Sequence, residues 1–203
     1  MYKAVLGLIA LILAVNLLSC GSTSATGDTL GGQKIVVVEA GDLTKSDSSI
    51  SGTGSFVFNT PLASLDSKDS YRIVFTLQKG GSLSLATHSD TALAGGLNIV
   101  LSRGAEADTY TAKMVRASGE TAMTAVTGDA TGDITLQIDA HNDETPAHVV
   151  VYPGSDATFT APIFNSESDG AAPGNGTATY WGITLTKAGI TSAVRSDPKF
   201  SEE

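Results

Sequence analysis

From Gln33 onward, apolar residues recur at every second position in short runs broken by Gly, Asp, Asn and Ser. Side chains alternate sides along a β-strand, so a period of two describes strands with one face in a core and one in water. Tyr71, Ile73, Phe75 and Leu77 alternate with Arg72, Val74, Thr76 and Gln78. Lys79-Gly80-Gly81 follows, then Leu83 and Leu85 alternate with Ser82 and Ser84, a pattern that predicts a β-hairpin. Leu97, Ile99 and Leu101 share a face, as do Ile134, Leu136 and Ile138, and Thr179, Trp181, Ile183 and Leu185. A turn at Lys187-Ala188-Gly189 is expected to lead into a closing strand, Ile190–Val194. Further strands are expected at Lys34–Glu39, Gly54–Phe58, Tyr110–Arg116, Thr121–Val126, His148–Tyr152 and Ala157–Thr160. No stretch after Leu18 carries a helical period with caps. The expected fold is therefore all-β, an antiparallel sandwich or barrel.

A chain of 203 residues with 41% hydrophobic residues can fill one core of this kind. The segment Asp156–Thr177, with Pro162, Pro173-Gly174 and Asn175-Gly176, reads as a long surface loop centred on residues 161–177. The formal net charge of -9 leaves no electrostatic footprint for nucleic acid and would be repelled by anionic headgroups. Any membrane attachment must then come from something other than a basic patch. One cysteine excludes an intramolecular disulfide and a cysteine-based zinc cluster.

That cysteine follows an apolar run, Ala4–Leu18, introduced by Lys3. The run suits a signal peptide and falls short of the roughly 20 residues needed to span a bilayer. It ends in Leu17-Leu18-Ser19-Cys20, which resembles the bacterial lipobox. The resemblance implies a signal peptide over 1–19 cut before Cys20, diacylglycerol on the Cys20 thiol and a further acyl chain such as palmitate on the new N-terminus. Two or more acyl chains make a stable anchor where one does not. Because Gly21 is not Asp, the outer membrane is the favoured address, with the domain facing the periplasm or the cell surface. Residues 20–32, mostly Ser, Thr, Gly and Asp, read as a flexible lipidated tether, leaving 33–203 as the folded domain.

The order Tyr71–Gln78, Gly80-Gly81, Ser82–Thr87, Gly96–Arg103 and Gly132–His141 resembles the concanavalin A-like, laminin-G-like jelly-roll sandwich. In that group a "Leu-x-Ile-x-Leu" strand is followed later by an "Ile-x-Leu-x-Ile-Asp" strand, as at Leu97–Leu101 and Ile134–Asp139 here. The resemblance implies a jelly-roll β-sandwich with a curved sheet able to bind glycans or proteins. Glucanases of that fold carry Glu-x-Asp-x-Glu on one strand to supply acid and nucleophile. The comparable strand here, Thr135–Asp139, has no flanking glutamates. No Gly-x-Ser-x-Gly, His-Glu-x-x-His or phosphate-binding glycine loop is present either, so no enzyme activity is expected.

Three groups of residues are candidates for a site. Tyr152 and Tyr180 face away from their apolar neighbours by strand parity and form the expected exposed platform on which a sugar ring could stack, with His148 on the same side as Tyr152. Asp139, Asn142, Asp143 and Glu144 are the oxygen-bearing types that Ca²⁺ takes, placed at what reads as a strand end; the spacing is not that of an EF-hand, and a solvated turn explains it as well. His141 and His148 could meet on paired strands, without a third zinc ligand in view. The leading reading is a non-catalytic binding module for a glycan or protein. The alternatives are an accessory envelope lipoprotein without a small ligand and, less favoured, a glycoside hydrolase.

Overall fold

The computed structural model describes residues 28–59, 68–106, 108–141, 148–154, 161–166 and 180–196. The strands are β1 (Thr29–Leu30), β2 (Gln33–Glu39), β3 (Thr44–Lys45), β4 (Ile50–Phe58), β5 (Lys68–Ser89) and β6 (Leu97–Arg103). They continue with β7 (Tyr110–Arg116), β8 (Gly119–Met123), β9 (Ile134–His141), β10 (His148–Pro153), β11 (Phe164–Asn165) and β12 (Tyr180–Ser196). Every pairing between them is antiparallel, and the described strands form one hydrogen-bonded sheet. The all-β, antiparallel expectation holds.

A single sheet becomes a sandwich because its longest strands bend. β5 has 22 residues, which would reach about 70 Å if straight. Tyr71 on β5 is paired with Arg195 of β12, yet its ring centroid lies 4.6 Å from that of Trp181, fourteen positions back along the same strand. A straight β12 would hold those two positions about 45 Å apart. The sheet therefore folds over on itself.

The fold line crosses three strands at one level. Gln78–Gly81 bulges from β5 opposite Lys187 of β12, between the pairs Leu77↔Ala188 and Ser82↔Thr186. Gly80 has φ +70° and Lys187 φ +47°, and Gly52 of β4, paired with Ala188, has φ +115°. Strands that switch layers through bulges in this way make the corners of β-sandwiches. The first layer contains the Lys68–Leu77 half of β5, the Ala188–Ser196 half of β12, β9, β10 and β11. The second contains the Ser82–Ser89 half of β5, the Tyr180–Thr186 half of β12, the Gly54–Phe58 part of β4, and β2, β6, β7 and β8.

The core lies between the layers. Phe56, Phe58, Tyr71 and Trp181 form a chain of ring contacts with centroid separations of 5.8, 5.0 and 4.6 Å. Each bulge shifts parity by one, so the buried set on β12 runs Trp181, Ile183, Leu185, then Ala188 and Ile190, then Ala193. A strict period of two would have put Ala188 and Ile190 in water.

Several expectations are corrected. Lys79-Gly80-Gly81 and Lys187-Ala188-Gly189 are bulges in continuous strands, where a hairpin and a turn were expected. The tether does not extend to residue 32: Leu30 is fully buried, and β1 turns through Gly31-Gly32 to pair with β2. The one apolar residue of that polar segment is what docks it. Within the expected loop, Phe164 is buried and β11 pairs with β10. Asp139 lies inside β9, paired on both sides, where a strand end was expected. Residues 1–19, Cys20 and the expected strand Ala157–Thr160 lie outside the described residues.

Candidate functional site

On the first layer, Ile134, Leu136, Ile138 and Ala140 of β9 face the core, so Thr135, Gln137 and Asp139 face outward. The register extends each of these across the layer. Asp139 is flanked by Ser70 and Val150, Gln137 by Arg72 and Tyr152, and Thr135 by Val74. Three rows thus run side by side over β5, β9 and β10, with the central one reading Arg72, Gln137, Tyr152.

Outward residues on a sheet ordinarily contact water, but Ser70, Gln137 and Asp139 are buried. The Gln137 amide donates to the Ser70 hydroxyl and to Asp139 Oδ1, the latter at 3.2 Å. Asp139 Oδ2 is buried and accepts no hydrogen bond from a described residue. Loss of hydration pushes the Asp139 carboxyl above the usual carboxylate range, partly offset by hydrogen bonding from Ser70 and Gln137. Arg72 beside this cluster is exposed and makes no ion pair or side-chain hydrogen bond with any described residue.

At the Thr135 end the face opens into a cleft of about 390 Å³ lined by Thr127, Gly128, Asp129, Asp133, Thr135 and Gly154. The loop that forms it is rigidly built. Asp129 Oδ1 accepts from the Thr131 hydroxyl at 2.6 Å, the Thr131 amide at 2.8 Å and the Asp133 amide at 3.1 Å. These bonds, that from the Thr131 side chain above all, hold the Asp129 carboxyl below the usual range. Gly132 supports the turn at φ +87°, and the Gly154 amide donates to the Thr135 carbonyl at 2.7 Å, fixing the opposite wall. Fixed carboxylates and threonine hydroxyls are a set suited to exchanging hydrogen bonds with a polyhydroxylated ligand.

The sequence-derived candidates divide over this frame. Tyr152 is half-buried on β10 beside the cleft. Tyr180 is half-buried at the start of β12 in the second layer, where its carbonyl accepts from Ser89 Oγ at 3.1 Å. The two tyrosines occupy different layers, so they do not form one platform. His148 is the direct cross-strand partner of His141, as their spacing suggested. Of the proposed calcium set, Asp139 is enclosed as described, and Asn142, Asp143 and Glu144 lie outside the described residues. Among the described residues no three His, Cys, Asp or Glu side chains converge as a metal site would require.

Sequence reading missed Arg72 and Gln137 as site residues, because only the register joins them to Tyr152. It also missed Asp129 and Asp133, although Asp-Ala-Thr-Gly-Asp is a legible Asx-type turn.

No family model matches this chain, and no curated protein sequence matches it. Solved structures resemble it in fold. The carbohydrate binding module CBM66 from Bacillus subtilis has a TM-score of 0.53 at 10% identity, covering 84% of this chain and 99% of that one. A legume lectin-like domain from Entamoeba histolytica gives 0.48 at 9% identity over 78% and 88%. An alginate lyase from Alteromonas sp. 272 gives 0.40 at 10% identity over 82% and 88%. At such identities the likeness is one of fold alone, a β-sandwich shared with the Bacillus subtilis module over most of both chains.

Proposed function

We propose that this protein is a lipid-anchored, non-catalytic glycan-binding module, held to the membrane through Cys20 and binding its ligand on the outward face of β5, β9 and β10. The observation that carries the reading is the cleft at Asp129, Asp133 and Thr135, one row from Gln137 and Tyr152 in the register of β9 and β10. The cleft would take sugar hydroxyls, and the Tyr152 ring would supply an apolar face for a sugar ring. The sandwich shared with a carbohydrate binding module is consistent with this use of the fold.

Two rivals are weaker on specific grounds. A hydrolase needs a carboxylic acid that keeps its proton next to a charged partner. Asp129 is held in its charged form by three hydrogen bonds, and Asp139, whose burial favours its proton, lies two rows from the cleft and does not line it. An accessory protein without a small ligand calls for a contiguous apolar patch. Among the described residues the exposed large apolar side chains are Val36 and Val38 on β2 and Val194 on the other layer.

Binding of the detergent-solubilised full chain to a glycan array, with and without Ca²⁺, tests the proposal. At least one glycan class should bind, and Tyr152→Ala and Asp133→Asn should each weaken binding by about tenfold, or ~1.4 kcal/mol. Dependence on Ca²⁺ would bring Asp139, Asn142, Asp143 and Glu144 into the site. Absence of binding in both conditions would refute the function.

A further inference from the structure

Resting on the glycan-binding reading, we infer that the ligand carries a carboxylate, as a uronic acid does, and that the guanidinium of Arg72 receives it. Arg72 sits in the central row between Val194 on β12 and Gln137 on β9, with Tyr152 one strand beyond. With 21 acidic and 12 basic residues, carboxylates outnumber cations in this protein. Three described cations on other parts of the surface are engaged in ion pairs, Lys45 with Asp28, Arg103 with Asp108 and Lys113 with Glu120, and Lys34, Lys79 and Lys187 are not. Nor is Arg72, although Asp139 lies in the adjacent row; the causes that move the Asp139 carboxyl include no arginine.

The planar fork of a guanidinium matches a carboxylate with two parallel hydrogen bonds, which an ammonium cannot reproduce. The Gln137 amide is already committed to Ser70 and Asp139, so it braces the row and leaves the anion to Arg72. Because burial favours the protonated form of Asp139, this neighbour repels an incoming anion less than a surface aspartate would. The cleft has the opposite character, with Asp129 charged at the Thr135 end. One end of the face therefore accepts hydroxyl protons and repels carboxylates while the middle attracts them, which fixes the register of a ligand with both. The net charge of -9 does not prevent this, since at physiological salt fields are screened over about 8 Å.

Calorimetry on the detergent-solubilised full chain would use a panel of uronic acid oligomers of differing configuration, each paired with its carboxyl-reduced neutral form, and sulfated oligomers of similar length. A uronate should bind at least tenfold tighter than its reduced form. Arg72→Gln should erase that difference with the melting temperature unchanged, and Arg72→Lys should restore only part of it. Equal affinity for the charged and reduced forms, or a uronate preference that survives Arg72→Gln, would overturn the inference and leave the glycan-binding reading intact. Preference for sulfated over carboxylated oligomers would overturn the carboxylate assignment. Failure of every oligomer, with the glycan array also empty, would remove the glycan-binding reading itself.

Discussion

A carboxyl group on the outward side of a strand ordinarily faces water, and that of Asp139 does not. Burial raises its proton affinity in the folded state, whereas the unfolded chain leaves it near its ordinary value. Between those two values the folded state binds more protons than the unfolded one, so stability falls as pH rises through that window. The penalty is complete once the pH exceeds the folded-state value. Asp139→Asn keeps the shape without the charge. It should flatten that decline and raise the melting temperature at the alkaline end of the window, as thermal melts at a series of pH values would detect; an unchanged profile would mean that the group is better solvated than its enclosure indicates. Trp181 is a second residue whose context decides its role. Strand parity alone assigned it to the core, and it is fully enclosed against Tyr71, with an indole nitrogen that has no described partner. Trp181→Ala should cost about 3–5 kcal/mol in chemical denaturation. Trp181→Phe should cost much less, because it keeps an aromatic ring and deletes the unsatisfied donor.

At the scale of elements, the fold line explains both what the sequence disclosed and what it hid. The apolar alternation of Tyr71–Leu77, Leu97–Leu101 and Ile134–Ile138 was legible because each strand buries one face, and period two is a local property. Whether Lys79-Gly80-Gly81 is a hairpin or a bulge is not local. The same glycines serve both, and the choice is made by β12, roughly a hundred residues downstream, which pairs with β5 on either side of the bulge. The site rows were hidden for the same reason, since Arg72, Gln137 and Tyr152 meet only through register. The bend itself can be tested. A Cβ on Gly81 would lie 2.5 Å from the Lys187 carbonyl oxygen and 2.8 Å from that of Gln78, both backbone atoms at the corner. Gly81→Ala should therefore destabilise the protein by about 1–3 kcal/mol, the usual cost of overpacking. Gly80, at φ +70° where an added Cβ would meet only ordinary contact from Ala105 at 3.6 Å, should lose about 1 kcal/mol or slightly more on conversion to alanine. Urea denaturation of the two variants separates crowding at the corner from backbone strain alone, and a neutral Gly81→Ala would show that the corner can relax.

For the molecule as a whole, the proposed anchoring raises the question of how an acidic sandwich would stay at a membrane. The described fold starts at Asp28 and docks through Leu30, so only residues 21–27 separate it from Cys20. A tether of that length would keep the domain close to the bilayer surface. Electrostatics cannot hold it there, because a net charge of -9 opposes anionic headgroups. Among the described residues no helix is long and apolar enough to cross a bilayer. The proposed lipid on Cys20 would give attachment without either, since two or three acyl chains contribute about 0.8 kcal/mol per buried CH₂. Membranes prepared from expressing cells should then retain the protein through high-salt and carbonate washes and release it into detergent, and the protein should incorporate labelled palmitate. Cys20→Ala should lose the label and the cleavage before residue 20. Cys20 precedes every described strand, so the circular dichroism of the sandwich should not change. Palmitate labelling and processing that persisted in Cys20→Ala would exclude lipid attachment at this cysteine and leave the means of anchoring to be sought in the first nineteen residues.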